Sequence, residues 1–264
     1  MTLPFYKYQG TGNDFVMLDQ RTTQWLTRAD TAQIERLCNR RFGVGADGLI
    51  LLQQHVGYDF EMIYFNADGR ESSMCGNGGR CIVAFARHLG IIQDRAYFLA
   101  IDGPHEALIH PDGQVALKMT DVPAVETGVD FYYLNTGSPH YVQFVPDVQQ
   151  INVVNAGRAV RYSPRFAAAG VNVNFAMPIN SGGLAVCTYE RGVEDETLAC
   201  GTGVAAAALA YYLQTQGQAP TTIPIQVKGG ALEVRFEPKG EGFVNIWLCG
   251  PAALIFEGTI QIEG

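Results

Sequence analysis

The chain has no C-x-x-C pair, no long apolar run and little positive charge. Each shortage closes off a class of protein. Without closely spaced cysteine pairs, zinc-ribbon and thioredoxin-like chemistry have no framework. The longest purely apolar stretch, Val204 to Leu213, is about half of a membrane span. Positive charge is also short: 18 Lys and Arg face 26 Asp and Glu, for a net charge of −8. That balance argues against a nucleic-acid or anionic-membrane partner. The opening residues, Met1 to Lys7, show no charged segment followed by an apolar core, so no signal peptide is expected. The expectation is a cytoplasmic protein.

At 264 residues and 47% apolar content, the chain can build one large domain or two ordinary ones. Its six cysteines are expected as thiols rather than disulfides. Cys38, Cys187 and Cys249 sit among apolar neighbours and read as small buried hydrophobes, as does Cys81. The other two stand apart. Cys75 opens Cys75-Gly76-Asn77-Gly78 and Cys200 opens Cys200-Gly201-Thr202-Gly203, each ahead of an apolar stretch.

The spacing of these phrases, 125 residues, recurs elsewhere. At the same offset Asn13 falls on Ser138, Gly45-Ala46-Asp47 on Gly170-Val171-Asn172, and Asn66 on Arg191. Such agreement indicates an internal repeat. Helices are expected at 27–40, 76–89, 152–159 and 201–214, among short alternating strands. The stretch Val204–Leu213 is apolar on every face, so a curved sheet must surround it. The expected fold is α+β, with two pseudo-symmetric domains, each a barrel-like, mostly antiparallel sheet around a central helix, and an active site in the cleft between them. Residues 1–121 plus 252–264 form the first lobe, which contributes Cys75. Residues 122–251 form the second, which contributes Cys200. The segment after Pro251 is expected to cross back and complete the first sheet, and residues 237–242 to form the longer of two hairpin connections.

A thiol at a helix start sits among unpaired N–H groups and the positive end of the helix dipole, which lowers its pKa. The same N–H groups, approached closely through glycine, can hold a carboxylate. Two such thiols suit proton transfer at the carbon next to a carboxylate, one accepting while the other donates. A single Cys-Gly-x-Gly phrase better fits a packing cysteine beside a turn. The repetition favours chemistry.

Four segments now carry a resemblance: Asn66-Ala67-Asp68-Gly69, Met74 to Cys81, Tyr189-Glu190-Arg191-Gly192, and Glu196 to Gly203. Together with Gly10-Thr11-Gly12-Asn13-Asp14-Phe15, they resemble the diaminopimelate epimerase family over essentially the whole chain. The resemblance implies a cofactor-independent isomerase that interconverts LL- and meso-2,6-diaminopimelate on the way to lysine and peptidoglycan precursors. It implies Cys75 and Cys200 as the acid/base pair, written as donor and acceptor for one direction. Gly76, Asn77, Gly201 and Thr202 would hold the α-carboxylate. Asn13, Asn66, Asn172, Glu190 and Arg191 would line the substrate pocket, and His140 and Glu190 would modulate thiol ionisation. No metal and no cofactor are implied. The partner is a small diamino dicarboxylate, and the resemblance allows a homodimer.

From the residues alone, Asn66 could serve turn geometry, His140 a loop, Arg191 and Glu190 a solvated surface, and Asn172 an ordinary strand. Two positions depart from the family pattern. Ser138 stands where asparagine is frequent, and Gly48 where glutamine is frequent, which bears on the distal end of the substrate. The closest competing reading is another amino-acid racemase, of the proline or hydroxyproline type. A thiol redox or metal protein is the reading from a different class.

Overall fold

The computed structural model describes residues 1–72, 74–180 and 182–262. It divides into two compact units, Met1–Leu117 with Gly250–Gly264, and Lys118–Cys249.

The first unit opens with β1 (Thr2–Gly10) and β2 (Asn13–Asp19), an antiparallel hairpin. Its two-residue turn, Thr11-Gly12, has φ of 51° and 85°, the left-handed pair that lets a tight turn follow the strand twist. Helix α1 (Thr31–Cys38) turns Ile34 and Leu37 inward and leads to β3 (Gly48–Gln53), parallel to β2. Then β4 (Phe60–Asn66) returns antiparallel to β3. Helix α2 (Gly76–His88) crosses to β5 (Arg95–Ala100), parallel to β4. The unit's run ends with β6 (Gly103–Ile109) and β7 (Val115–Lys118), antiparallel across the turn around Asp112-Gly113.

The second unit repeats this order. A short β8 (Glu126–Thr127) pairs with β9 (Tyr132–Asn135), and β9 pairs antiparallel with β10 (Pro139–Phe144). Helix α3 (Val153–Arg161) leads to β11 (Asn172–Pro178), parallel to β10, and β12 (Leu184–Glu190) returns antiparallel. After β13 (Asp195–Thr197), helix α4 (Gly201–Gln214) crosses to β14 (Thr222–Val227), parallel to β12. Strands β15 (Gly230–Lys239) and β16 (Gly242–Gly250) complete the repeat.

The last strand, β17 (Ala253–Gln261), pairs antiparallel with β1. It gives β1 the partner that β8 gives β9. The expected crossing back of the C-terminal segment is therefore present. The expected long connection at 237–242 is not. Strands β15 and β16 run on to a two-residue turn, Gly240-Glu241, and a bulge near Arg235 to Glu237 absorbs the extra residues.

Both central helices are buried for the reason their composition suggests. Every residue from Val204 to Ala210 of α4 has 0% exposure, and alanine lets strands approach the helix on all sides. Helix α2 is amphipathic and buries Gly76 to Val83, Phe85 and Ala86. Among the described residues no helix is long and apolar enough to cross a membrane.

Candidate active site

Cys75 and Cys200 are the N-cap residues of α2 and α4, both with extended backbone (φ −99° and −115°). Each thiol therefore stands where the first helical N–H groups lack intrahelical partners. Those groups belong to Gly76 and Asn77 in the first unit and to Gly201 and Thr202 in the second.

In the first unit the β1–β2 turn is tied to the start of α2. Thr11 Oγ1 donates to Asn77 Oδ1 (3.2 Å), and the same oxygen accepts from Arg80 (3.0 Å). Arg80 has 0% exposure; it also donates to Thr11 Oγ1 (2.9 Å), the Gly76 carbonyl (3.3 Å) and the Pro251 carbonyl (3.4 Å). Asn77 then presents its Nδ2 to Asn13 Oδ1 at 3.4 Å, and Cys75 Sγ lies 3.6 Å from that oxygen. Asn13 Nδ2 donates to the Asp47 carboxylate (2.8 Å), so the amide has one orientation. Arg40 bridges Asp47 and Asp14 at 2.7 Å each, and Lys7 pairs with Asp14 at 2.8 Å. Burial pushes the Asp14 carboxyl up, but its bonds to Arg40 and Lys7 win and hold it well below the usual carboxylate range.

In the second unit the corresponding threonine, Thr136, donates to the Thr202 carbonyl (2.8 Å). Thr202 Oγ1 lies 3.6 Å from Cys200 Sγ, 2.9 Å from His140 Nε2 and 3.3 Å from Ser138 Oγ. Ser138 Oγ is itself 2.9 Å from His140 Nε2 and accepts from Asn172 Nδ2 at 3.1 Å. Asn172 Oδ1 accepts from the Arg191 backbone N–H (2.9 Å), which joins the end of β12 to this cluster. Burial, helped by the Arg191 charge, pushes His140 down to about 3, so the ring is neutral.

The expected residues thus gather in two local groups. Cys75, Gly76, Asn77 and Asn13 form the first; Cys200, Gly201, Thr202, His140, Asn172 and the Arg191 backbone form the second. His140 meets Cys200 through the Thr202 hydroxyl, and it does so as a neutral group. Asn66 ends β4 in a turn closed by the Gly69 N–H on its carbonyl (2.9 Å), with its side chain exposed. Glu190 ends β12, where burial raises its carboxyl pKa. The Arg191 guanidinium is exposed and donates to the Ala169 carbonyl (3.1 Å).

Both departures from the family pattern have local explanations. Ser138 is turned into the His140–Thr202 cluster. Gly48 faces the Tyr64 ring: a Cβ there would lie 2.6 Å from that ring and 2.5 Å from the Phe65 carbonyl oxygen. Sequence reasoning missed Asp47, Arg80, Asn174 and Thr188. The alternation of Asn172 and Asn174 in Val171-Asn172-Val173-Asn174-Phe175 was the available signal for one of them.

The other thiols differ in setting. Burial pushes Cys38 and Cys81 up to about 12 and Cys187 up to about 11. Among the described residues no three His, Cys, Asp or Glu side chains gather as a metal site.

A duplicated α+β unit, each half built around a buried helix, defines a fold class shared with PhzF-family proteins and a hydroxyproline epimerase. Across 99% of this chain and 100% of the other, a Bacillus anthracis phenazine biosynthesis protein of the PhzF family superposes with a TM-score of 0.75 at 14% identity. A hydroxyproline epimerase from Agrobacterium vitis superposes with a TM-score of 0.70 at 14% identity, covering 98% of this chain and 92% of the other. The diaminopimelate epimerase family model matches residues 5–125 and again residues 132–255, one match for each repeat. A diaminopimelate epimerase of Flavobacterium psychrophilum is 49% identical, covering 98% of this chain and 100% of the relative. One from Aquifex aeolicus is 36% identical, with 99% of each chain covered. The chain belongs to the diaminopimelate epimerase family.

Proposed function

We propose that this chain interconverts LL- and meso-2,6-diaminopimelate by two-base proton transfer at one α-carbon, with Cys75 and Cys200 acting on its opposite faces. The observation that carries this reading is the pair of N-cap thiols on equivalent buried helices, one sulfur beside an amide oxygen and the other beside a hydroxyl. Cys75 faces an amide oxygen, which can only accept, so it suits the protonated donor. Cys200 faces a hydroxyl that can donate, so it suits the thiolate acceptor.

The N–H groups of Gly76, Asn77, Gly201 and Thr202 hold the α-carboxylate and stabilise the charge that develops when the proton leaves. Cys200 takes the proton and Cys75 delivers one to the other face; the reverse reaction exchanges these roles. Asn13, Asn66 and Asn172 bind polar groups of the substrate. Glu190 receives an ammonium group, and Arg191 grips the distal carboxylate bidentately. The chemistry draws on no cofactor.

The setting is cytoplasmic, where thiols stay reduced. The exposed Leu254, Ile255 and Phe256 of β17 favour a homodimer, which sedimentation would test. The function is tested by incubating purified protein with LL-diaminopimelate, proline and hydroxyproline and resolving the stereoisomers. Conversion of diaminopimelate alone supports the reading. Conversion of a cyclic amino acid in its place favours the racemase alternative.

A further inference from the structure

Beneath the start of α4 the second unit buries three polar side chains that the first unit, built on the same plan, lacks. His140 and Asn174 are 0% exposed and Thr188 is 3% exposed. They lie below Gly203, where an added Cβ would strike Asn174 Oδ1 and come within 3.3 Å of His140 Cε1. At the equivalent glycine of α2, Gly78, an added Cβ would instead meet Ile50, Met62 and Phe15, at 3.1, 3.3 and 3.6 Å. The ladders agree: Phe15 pairs with Gly48 and His140 with Asn172, so Ile50 is the counterpart of Asn174. Thr188, opposite Asn174, has half-buried Tyr64 as its counterpart, so at the positions of His140 and Asn174 the first unit sets Phe15 and Ile50 where the second sets an imidazole and an amide. Burying polar groups where apolar ones serve carries a cost, so the fold alone does not account for them.

Their hydrogen bonds are satisfied and share one direction. Asn174 Nδ2 donates to the Tyr141 carbonyl (3.0 Å), and its Oδ1 accepts from the Thr188 hydroxyl (2.9 Å), so the amide has one orientation. The same Nδ2 donates to His140 Nδ1 at 3.1 Å, which leaves the ring proton on Nε2. That N–H reaches the hydroxyls of Ser138 and Thr202, both at 2.9 Å. Asn172, held by the Arg191 N–H and the Pro139 carbonyl, donates a second bond to Ser138. With its acceptor positions filled, the Ser138 hydroxyl turns to Thr202, and the Thr202 hydroxyl turns to the Cys200 sulfur.

We propose that Asn174, backed by Thr188, is a positioning residue: it holds His140 as the neutral Nε2–H tautomer and so directs the Thr202 hydroxyl onto the Cys200 sulfur. This rests on the reading of Cys200 as proton acceptor. A proton on Nδ1 would set N–H against N–H. Among the described residues the Arg191 charge acts on His140, Glu190 precedes Arg191 at the end of β12, Cys200 lies beyond Thr202, and β11 adds only amides.

Nitrogen-15 NMR of the His140 ring reads the tautomer directly, and mass spectrometry after brief iodoacetamide treatment reads alkylation of each cysteine separately. The wild type is expected to show the Nε2–H form at neutral pH. In Asn174→Asp the ring is expected to move its proton to Nδ1, and Cys200 alkylation at neutral pH to slow about tenfold with Cys75 unchanged. Asn174→Leu, which adds no charge, is expected to leave a mixed tautomer and an intermediate rate. A wild-type ring protonated on Nδ1 overturns the proposal without reliance on any variant's folding. An inverted ring with unaltered Cys200 reactivity overturns it as well. Wild-type turnover of diaminopimelate is scored separately: its absence would overturn the functional reading and leave the tautomer result standing.

Discussion

The sulfur of Cys75 lies 3.6 Å from Asn13 Oδ1, and Asp47 decides which end of that amide it meets. The carboxylate of Asp47 can only accept, so it takes the Asn13 N–H and leaves the oxygen toward the thiol. Replacing Asp47 with alanine frees the amide to turn its N–H toward the sulfur. Activity is expected to fall about tenfold, with stability lowered by only about 1 kcal/mol because Asp47 is half exposed. Asp47→Asn keeps an acceptor and is expected to retain most activity. Turnover alongside urea unfolding separates the two effects.

Arg80 is a structural counterpart to that arrangement. Its guanidinium is fully buried and supports Thr11, Asn77 and the carbonyls of Gly76 and Pro251. Arg80→Met is expected to destabilise the protein by about 3 kcal/mol, because several buried acceptors lose their donor. Denaturant midpoints measure this.

Gly48 makes a different test. Gly48→Gln is expected to cost about 1–3 kcal/mol, since its side chain would meet the Tyr64 ring and the Phe65 carbonyl. Tyr64→Ala in the same chain is expected to recover part of that loss. Additive destabilisation in the double variant would contradict the explanation.

Acid sensitivity follows from His140. Its folded pKa, about 3, lies below the ordinary value near 6.5, so in the intervening range the unfolded chain binds a proton that the folded chain does not. Stability is therefore expected to fall by about 1.4 kcal/mol for each pH unit on going down from 6.5 toward 3, from this residue alone. Substituting the first unit's residues, His140→Phe with Asn174→Ile, removes this contribution. The double variant is expected to fold, lose the extra acid slope and lose most activity. An unchanged slope in pH-dependent unfolding would contradict the assignment.

Much of this was legible in the sequence because the repeat supplied an internal comparison. The shared phrase at Cys75 and Cys200 marked two helix starts, and the all-apolar stretch at Val204 marked a helix buried on every side. The supporting polar residues were not legible. Asn174 alternates in a strand as a solvated residue would, and its meaning depends on the parallel pairing of β10 with β11 that brings it to His140. Asp47 likewise meets Asn13 only through the parallel pairing of β2 with β3, and Arg80 meets Thr11 only through the packing of the β1–β2 turn on α2. The bulge in β15 was hidden because Pro238 and Gly240 suggest a loop, while an edge of regular pairing continues to Lys239.

The central claim is that two thiols divide the proton transfer, and deuterium labelling tests it most directly. LL-diaminopimelate is incubated in D2O with the wild type, Cys75→Ala and Cys200→Ala, and the α-positions of substrate and product are read by NMR. The wild type is predicted to give meso product with deuterium at the inverted carbon, and each variant to lose epimerisation. Unlabelled product, or a single-alanine variant that still epimerises at the wild-type rate, would contradict the account.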